Sequence, residues 1–369
     1  MQYPYQYIWV NGRSVLLQDI QEGKSTAFTE AERNAFDFIR SWLSDASVFE
    51  LTTSGSTGTP KKISIKRSQM QTSARLTAQA LNLRSNYNAL ICLDTKFIAG
   101  KMMVVRCFEL GMKMFFVDPC SNPLVQIPID RTIDFAALVP YQVTSILGSK
   151  HPHLLDTMLT CIIGGAPLDE ETKEKIKAFS TSMYITYGMT ETISHIALQK
   201  INGKEILDYY TTLPDIVINT DSRGCLVIEA PHLEERIITN DIVDIIDSRT
   251  FKWVGRWDNV INSGGVKVSA ELLEQKIGQI FTRLHINNSF FIYGAEDKNF
   301  GSRVILVVEG RFLNIDQESQ IVHALLHSFS AYERPKEVYV TSLFLKTKTL
   351  KINRQETFKS AELYLKISA

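Results

Sequence analysis

The sequence contains no CxxC pair and few cysteines. Five are scattered along its 369 residues, as Cys92, Cys107, Cys120, Cys161 and Cys225. An odd number of isolated thiols fits neither a disulfide framework nor a structural zinc site. Because disulfide-rich domains belong to oxidising compartments, this cysteine usage indicates a cytoplasmic protein.

The sequence also lacks an excess of charge of one sign and any long hydrophobic run. It has 40 basic and 40 acidic side chains, so its formal net charge is zero. A neutral chain offers no general electrostatic surface for nucleic acids or anionic lipids. No apolar stretch reaches the length that spans a bilayer, and the first residues lack the regions of a signal peptide. We therefore expect no nucleic-acid partner, no membrane association and no export.

What is present is the composition of an ordinary globular protein, with 44% hydrophobic and 22% charged residues. The length predicts two or three domains, which allows a binding cleft between them. Oligomeric state cannot be read from this composition, and a homodimer is left open.

The order of the apolar segments predicts an α/β fold. Short runs interpreted as strands alternate with helical patterns, and these runs are residues 89–93, 113–117, 143–147, 161–163 and 183–187. Such alternation is typical of a largely parallel sheet. From about Leu226 to Val254, β runs separated by turn signals predict an antiparallel section, and a compact α+β pattern follows Gly255. We predict a large N-terminal domain, 1–255, and a small mobile C-terminal domain, 256–369.

The segment from Thr53 to Lys61, TSGSTGTPK, is rich in glycine and hydroxyl groups and ends on a lysine. Glycines let backbone N–H groups approach a phosphate, and hydroxyls and lysine add donors and charge. It is not a Walker A loop, because Pro60 and Lys62 stand where that loop has Gly and Ser or Thr. Taken alone, it is equally compatible with a solvated turn.

Three further segments are candidates for chemistry. Tyr187–Thr192, YGMTET, places a hydroxyl beside a carboxylate after an apolar run. The segment 255–268, GRWDNVINSGGVKV, lies at the expected domain boundary, where small residues can absorb a backbone rotation. The segment 346–354 is rich in lysine. Each alone fits a helix cap, a connection or a basic solvated loop just as well.

As an ordered set, these segments resemble the signature motifs of the adenylate-forming superfamily of acyl- and aryl-CoA synthetases, adenylation domains and luciferases. TSGSTGTPK resembles the phosphate loop, GGAPL at 164–168 the adenine-binding strand end, and YGMTET the nucleotide and magnesium motif. Thr239-Asn240-Asp241 resembles the ribose motif TGD with Asn240 in place of Gly. The segment 255–268 resembles the hinge motif, with Asp258 at the hinge position.

The resemblance implies an ATP and Mg²⁺ site. The β- and γ-phosphates would be bound by Ser54, Gly55, Ser56, Thr57, Gly58, Thr59 and Lys61. The adenine would be enclosed by Gly164, Gly165, Ala166 and Tyr187. Thr190 would contact the α-phosphate, Glu191 would hold Mg²⁺, and Asp241 and Arg256 would hydrogen-bond the ribose.

The resemblance also implies a catalytic lysine and a CoA channel. Aligning 347–354 on the last family motif selects Lys351, although Leu350 replaces the usual Gly, and Lys348 and Lys346 are near enough to leave the register open. Lys351 would bridge the substrate carboxylate and the α-phosphate. Rotation of the C-terminal domain would then bring Gly264, Gly265 and Lys267 towards the pantetheine arm of CoA.

The substrate implied by the resemblance is a small carboxylate. Only about fifty residues precede the phosphate loop, which implies a shortened first subdomain, and short relatives of this layout include bacterial o-succinylbenzoate-CoA ligases of menaquinone synthesis. Their substrate carries a second carboxylate, which needs a cation or several donors. Lys101 and Arg106 lie in the segment expected to line that pocket, and His195 is a further candidate.

Other interpretations stay open. Lys101 and Arg106 could extend along a helix end to water, and His195 could be a core or surface histidine. The chain could be another aryl- or acyl-CoA ligase. It could also be a nucleotide-binding module without catalysis, because Asn240 and Leu350 depart from the family pattern.

Overall fold

The computed structural model describes residues 5–52, 62–298, 301–310, 315–346 and 352–367. The strands in chain order are β1 (Tyr7–Val10), β2 (Arg13–Leu16), β3 (Val48–Thr52), β4 (Lys62–Lys66), β5 (Asn88–Ile91), β6 (Lys113–Phe116), β7 (Phe135–Leu138), β8 (Thr160–Ile163), β9 (Ser182–Gly188), β10 (His195–Lys200), β11 (Tyr210–Thr212), β12 (Val217–Thr220), β13 (Cys225–Glu229), β14 (Ile237–Asp247), β15 (Thr250–Arg256), β16 (Val260–Ser263), β17 (Val266–Ser269), β18 (Phe290–Asp297), β19 (Gly301–Glu309), β20 (Glu337–Thr341) and β21 (Glu362–Lys366). The helices are α1 (Leu17–Gln21), α2 (Glu30–Leu43), α3 (Arg67–Leu81), α4 (Ile98–Leu110), α5 (Pro140–Leu147), α6 (Glu170–Ile176), α7 (Ala270–Arg283), α8 (Ile315–Ser328) and α9 (Arg354–Ser360).

The main body is a sheet of thirteen strands in the order β12-β13-β14-β15-β11-β10-β9-β8-β7-β5-β6-β1-β2. Strands β9, β8, β7, β5, β6 and β1 are parallel along this order, whereas the pairs from β9–β10 to β12–β13 are antiparallel. This confirms the predicted α/β class with an antiparallel section. Parallel strands end at the same edge of a sheet, so the segments that follow β8 and β9 lie side by side.

The parallel strands are buried on both faces. Ile91 and Phe116 belong to one apolar core, whereas their chain neighbours Leu90 and Phe115 belong to another. Because side chains alternate between faces, a strand covered on both sides must be apolar at every position. This explains why these strands appeared in the sequence as continuous apolar runs.

One strand prediction is wrong. The apolar run 143–147 lies in helix α5, and the strand of that region is β7. Pro140 occupies the first turn of α5, where its fixed φ suits a helix, and Val143 and Ile146 are buried one turn apart. The segment 143–147 has three apolar residues interrupted by Thr144 and Ser145, and it is too short for its pattern to separate a strand from a buried helix.

The residues after Gly255 form a second sheet with its own core. Its order is β17-β16-β19-β20-β21, and β18 also pairs with β19. Helices α7 and α8 contribute Leu273, Ile277, Ile321 and Leu325 to an apolar core that includes Leu306 of β19. This unit follows directly on β15, so the segment that joins the two sheets is also the predicted hinge.

Candidate active site

Two glycines follow the carboxyl end of β8. A Cβ on Gly164 would lie 2.3 Å from Thr186 Oγ1 on β9, and Gly165 has φ of +93°. A side chain at either position would therefore collide or be strained. The predicted adenine segment, Gly164, Gly165 and Ala166, thus presents backbone at the sheet edge beside the end of β9, where Tyr187 lies.

Three residues predicted from separate motifs meet beside this edge. The hydroxyl of Tyr187 donates to Asp241 Oδ2 at 2.7 Å, and Arg256 Nη1 lies 3.7 Å from Asp241 Oδ1. Asp241 and Arg256 are directly opposite in the β14–β15 pair. Burial, together with the Asp241 carboxylate, raises the pKa of Tyr187, so its hydroxyl stays protonated and remains a donor.

A tight turn carries the two residues predicted to meet the α-phosphate and magnesium. Thr192 Oγ1 accepts from the Met189 amide at 2.9 Å, and the Ile193 amide donates to Thr190 O at 2.9 Å. Ile193 is buried with φ of +68°, a conformation that a β-branched residue adopts only at a cost. The turn leaves Glu191 exposed. Sequence reasoning missed the part that Thr192 and Ile193 play in shaping it.

Glu191 fits a magnesium ion only as part of a nucleotide complex. Within the described residues, no group of three or more His, Cys, Asp or Glu side chains could hold a metal ion. Mg²⁺ commonly takes one or two carboxylates together with phosphate oxygens and water. A single exposed carboxylate is consistent with that donor set if the predicted phosphate loop supplies the nucleotide beside it.

The predicted hinge residue is held by two neighbours. Asp258 Oδ2 accepts from Arg256 Nη2 at 2.8 Å, and Asn240 Nδ2 lies 3.2 and 3.4 Å from the two carboxylate oxygens. Arg223 in turn donates to Asn240 Oδ1 at 2.8 Å. Asn240, which replaces the family's Gly, therefore contacts the hinge. This contact and Arg223 were not foreseen from the sequence.

The residues predicted for the CoA channel lie just beyond the hinge. Gly264 and Gly265 have φ of +61° and +86° in the turn between β16 and β17. Two successive positive φ values are those of a tight hairpin turn, for which glycine is suited. Lys267 Nζ lies 4.6 Å from the centre of the Trp257 ring. The hairpin is thus tied to the short helical turn that contains Asp258.

A buried cation lies on α4. Arg106 is 2% exposed, yet within the described chain no carboxylate is within 4 Å of its guanidinium. Its guanidinium makes few contacts. Nη2 donates to Ser194 Oγ at 2.8 Å and lies 3.5 Å from Thr77 Oγ1, and Nη1 lies 3.7 Å from Met103 Sδ. Nε has no partner in the part of the chain that is described. Burial lowers the pKa of Arg106 to about 10, which leaves it charged near neutrality.

Further polar groups lie around Thr77, one of the two hydroxyls that Arg106 contacts. His195 Nε2 lies 3.2 Å from Thr77 Oγ1, and burial, followed by the charge of Arg106, lowers the pKa of His195 well below its usual value. Burial also lowers the pKa of His232, whose Nδ1 has no partner among the described residues. Ser73 Oγ, one turn before Thr77 on α3, is likewise buried and unpartnered there. Sequence reasoning identified Arg106 and His195 but missed Ser73, Thr77, Ser194 and His232.

Lys101 lies in different surroundings. Its ammonium is 4.7 Å from the centre of the Phe38 ring, and it borders a cleft of about 430 Å³ between α2, β3 and the start of α4. Burial lowers its pKa. Five residues along a helix rotate a side chain by about 500°, which leaves Lys101 and Arg106 about 140° apart around the axis of α4. The structure does not bring these two predicted substrate residues together.

Two predicted groups lie outside the described residues. They are the phosphate-loop residues Ser54, Gly55, Ser56, Thr57, Gly58, Thr59 and Lys61, and the lysine Lys351 with its alternative Lys348. The described chain brings the flanks of each segment together. Thr52 pairs with Lys62 across β3 and β4, and Lys346 bridges to Ile352.

Comparison with known proteins decides the family. Residues 12–217 match the model of the AMP-binding enzyme family. The chain belongs to this family. An acyl-CoA synthetase (AMP-forming)/AMP-acid ligase II-like protein from Dyadobacter fermentans is 37% identical in sequence, with a TM-score of 0.62, and the match covers 92% of this chain and 97% of that one.

Two further proteins that match the chain have lower sequence identity to it. The 2-succinylbenzoate–CoA ligase of Oceanobacillus iheyensis is 24% identical over 79% of this chain. This chain spans only 65% of the length of that relative. The o-succinylbenzoate CoA synthetase of Bacillus subtilis, solved with its acyl-adenylate intermediate, is 16% identical with a TM-score of 0.72, and the match covers 95% of this chain and 81% of that one. The same enzyme has been solved with ATP and a magnesium ion. These likenesses confirm the predicted adenylate-forming fold.

In residues that the structure describes, no helix combines the length and the apolar character needed to cross a bilayer.

Proposed function

We propose that the chain is an ATP-dependent carboxylate–CoA ligase of the AMP-forming type, with o-succinylbenzoate as its substrate and a place in menaquinone synthesis. Membership of the AMP-binding family supports the reaction class. The observation that carries the substrate is the buried Arg106 guanidinium, which has no carboxylate partner among the described residues.

The reaction would proceed in two displacements. A carboxylate oxygen of the substrate attacks the α-phosphorus of ATP, and pyrophosphate leaves with the electrons of the broken P–O bond. The thiol of CoA then attacks the acyl carbon, loses its proton, and releases AMP as the thioester forms. No protein nucleophile is required, so the protein contributes positioning and charge neutralisation.

The chain's own groups have distinct tasks in this scheme. Tyr187 and the Gly164-Gly165 backbone would border the adenine, and Asp241 with Arg256 would fix the ribose. The phosphate loop and Thr190 would bind the phosphates. Magnesium, held through Glu191, would neutralise phosphate charge when bound.

We infer a pocket beside Arg106 that would take an acid with a second carboxylate. A buried guanidinium has five N–H donors, and leaving them poorly paired in an apolar interior is costly. A carboxylate would supply the missing charge and two parallel hydrogen bonds. His195, which contacts the same Thr77 hydroxyl as Arg106, would add a neutral polar group beside it. Only one carboxylate of o-succinylbenzoate is activated, so the other is free to occupy this pocket.

The first test is pyrophosphate release from ATP by the purified chain with Mg²⁺ and CoA. The panel would include o-succinylbenzoate, benzoate and medium-chain fatty acids. We expect a preference for o-succinylbenzoate of about 100-fold or more, because an acid without the second carboxylate leaves the buried cation unpaired. A preference for another acid would support the proposed type of reaction but would contradict o-succinylbenzoate as the substrate. No turnover despite ATP binding would instead favour a module without catalysis.

A further expected result concerns Asn240. Changing Asn240 to glycine, the family residue, removes the amide that contacts Asp258. Because an exposed hydrogen bond stabilises by roughly 1 kcal/mol, we expect overall turnover to rise about two- to fivefold if domain rotation limits it. Adenylate formation measured in a single turnover should be unchanged. Asn219→Gly, at an exposed position on β12, is the matched control, and slower adenylation in Asn240→Gly would contradict the role at the hinge.

A further inference from the structure

A largely buried group of charged side chains joins α7 to α9 in the C-terminal sheet unit. Glu274 Oε2 pairs with Arg354 Nη2 at 2.9 Å, and Glu271 Oε1 lies 3.9 Å from the same nitrogen. The side chains of Glu274 and Arg354 are 20% and 23% exposed. Both also bind the backbone of β18, where Glu274 Oε1 accepts from the Ile292 amide at 2.7 Å and Arg354 Nη1 donates to Ile292 O at 3.2 Å. Arg354 is therefore held from two directions.

Glu271 connects this group to the hinge. Its Oε1 accepts from Asn259 Nδ2 at 2.5 Å, and its Oε2 meets the Arg256 amide at 3.4 Å. A Cβ on Gly255 would lie 2.7 Å from Glu271 Oε2, so glycine at that position is what permits the approach. Through Glu271, both ends of the short helical turn at the hinge are fixed to α7.

Arg354 connects the same group to the lysine segment. It is the first residue of α9 and lies three positions after Lys351. The flanks of that segment are joined by the Lys346–Ile352 bridge and by the Asn353 amide, which donates to Leu345 O at 2.8 Å. The Asn353 side chain accepts from the Glu356 amide at 3.2 Å and caps α9. Arg354 is thus the point at which the far end of the lysine segment is fastened to α7.

Burial and the charge of Arg354 act in opposite directions on the Glu274 carboxylate. Burial raises the pKa of Glu274 to about 7, and the charge of Arg354 opposes that shift. The charged groups that face Glu274 within the described chain are Arg354 on α9 and Glu271 on its own helix. A buried pair of this kind is costly to break on one side, because the remaining charge stays desolvated.

We propose that Glu274 and Glu271 are positioning residues for adenylate formation, which act by fixing Arg354 and with it the described end of the segment that carries the proposed catalytic lysine. The hinge turn, α7 and the end of the lysine segment then move as one body when the C-terminal unit rotates. This inference rests on the proposed function only for the role of Lys351. The anchor itself is independent of the substrate.

The test uses the full-length chain with Glu274→Gln, which keeps the shape of the side chain and removes its charge. Small displacements of a positioned group cost about 10- to 100-fold in rate, so we expect a loss of that size in single-turnover adenylation. Thioester formation from supplied acyl adenylate should stay within about twofold, because Lys351 has no role in that step in the proposed scheme. Arg354→Lys, which keeps the charge but loses the planar guanidinium, should also slow adenylation while leaving thioester formation within about twofold.

The matched control is Glu337→Gln. Glu337 pairs with Arg303 at 3.0 Å in the same sheet unit and is similarly buried. The Glu337→Gln variant should leave the rates of both half-reactions unchanged. Equal losses in the two half-reactions of Glu274→Gln, or the same split in Glu337→Gln, would overturn the positioning role.

A second readout needs no activity. Lys346, Lys348 and Lys351 are potential trypsin sites, and we expect Glu274→Gln to be cleaved there at least about fivefold faster than the wild type or Glu337→Gln. Unchanged cleavage would overturn the anchor. If the wild type is inactive but Glu274→Gln is cleaved faster, the proposed function fails and the anchor stands.

Discussion

Replacement of Lys351 by alanine is expected to slow adenylate formation by about 10²- to 10³-fold, the usual cost of losing one preorganised group that stabilises charge in a transition state. Negative charge on the α-phosphate must be neutralised as the carboxylate attacks, and Lys351 is the proposed cation. Thioester formation from supplied acyl adenylate should change by no more than about twofold, because the lysine is withdrawn in that step. Single-turnover pyrophosphate release and AMP release measure the two steps separately.

The matched control for this experiment is Lys348→Ala. Lys348 and Lys351 lie three residues apart in the same segment, and the sequence alone leaves the register between them open. A larger loss in Lys348→Ala would move the catalytic role to that residue. Equal losses of both half-reactions in Lys351→Ala would refute a role confined to adenylation.

Replacement of Arg106 by methionine is expected to lower kcat/KM for o-succinylbenzoate by about 10²- to 10³-fold, mainly through KM. The expected loss corresponds to two hydrogen bonds to a charged group. Each contributes roughly 1.5–3 kcal/mol, and the two contributions are not fully additive. Benzoate and other monocarboxylates should be affected by less than about threefold, because they leave the pocket empty. The kcat/KM of Arg106→Lys for o-succinylbenzoate should fall between that of the wild type and that of Arg106→Met, since an ammonium keeps the charge but lacks the planar, forked donors of a guanidinium.

Stability offers an independent check on Arg106. It is a buried cation without a carboxylate partner in the described chain, so an apolar residue of similar length should leave the free energy of unfolding unchanged or raise it. Lys101→Met is the matched control, because it removes the other cation of α4 and should not alter the discrimination between mono- and dicarboxylates. Parallel losses for both classes of acid in Arg106→Met would reject the pocket.

Much of the fold could be predicted because its signals are local. The runs 89–93, 113–117, 161–163 and 183–187 were identified as strands from short apolar patterns, and β5, β6, β8 and β9 lie there. The error at 143–147 arose because helix and strand share the same signal in short apolar runs. The parallel centre and the antiparallel section were separable because one has strands linked through helices and the other has strands linked through turns.

The candidate site was foreseen motif by motif but not as an arrangement. Tyr187 and Asp241 were each identified, yet their 2.7 Å hydrogen bond joins residues 54 positions apart. Lys101 and Arg106 were identified together because they are near in sequence, and their surroundings differ in the structure. Proximity along a helix does not imply a shared face.

By itself, the sequence determined the order of elements, the family motifs and the residue types available for ATP and carboxylate chemistry, because these depend on neighbours within about ten residues. Only the tertiary structure decided which charges are paired. Arg106 is buried without a carboxylate partner in the described chain, Asn240 contacts the hinge aspartate, and Glu274 holds Arg354 across 80 positions. Burial and pairing depend on how distant segments pack, and packing sets the free energy of each charge.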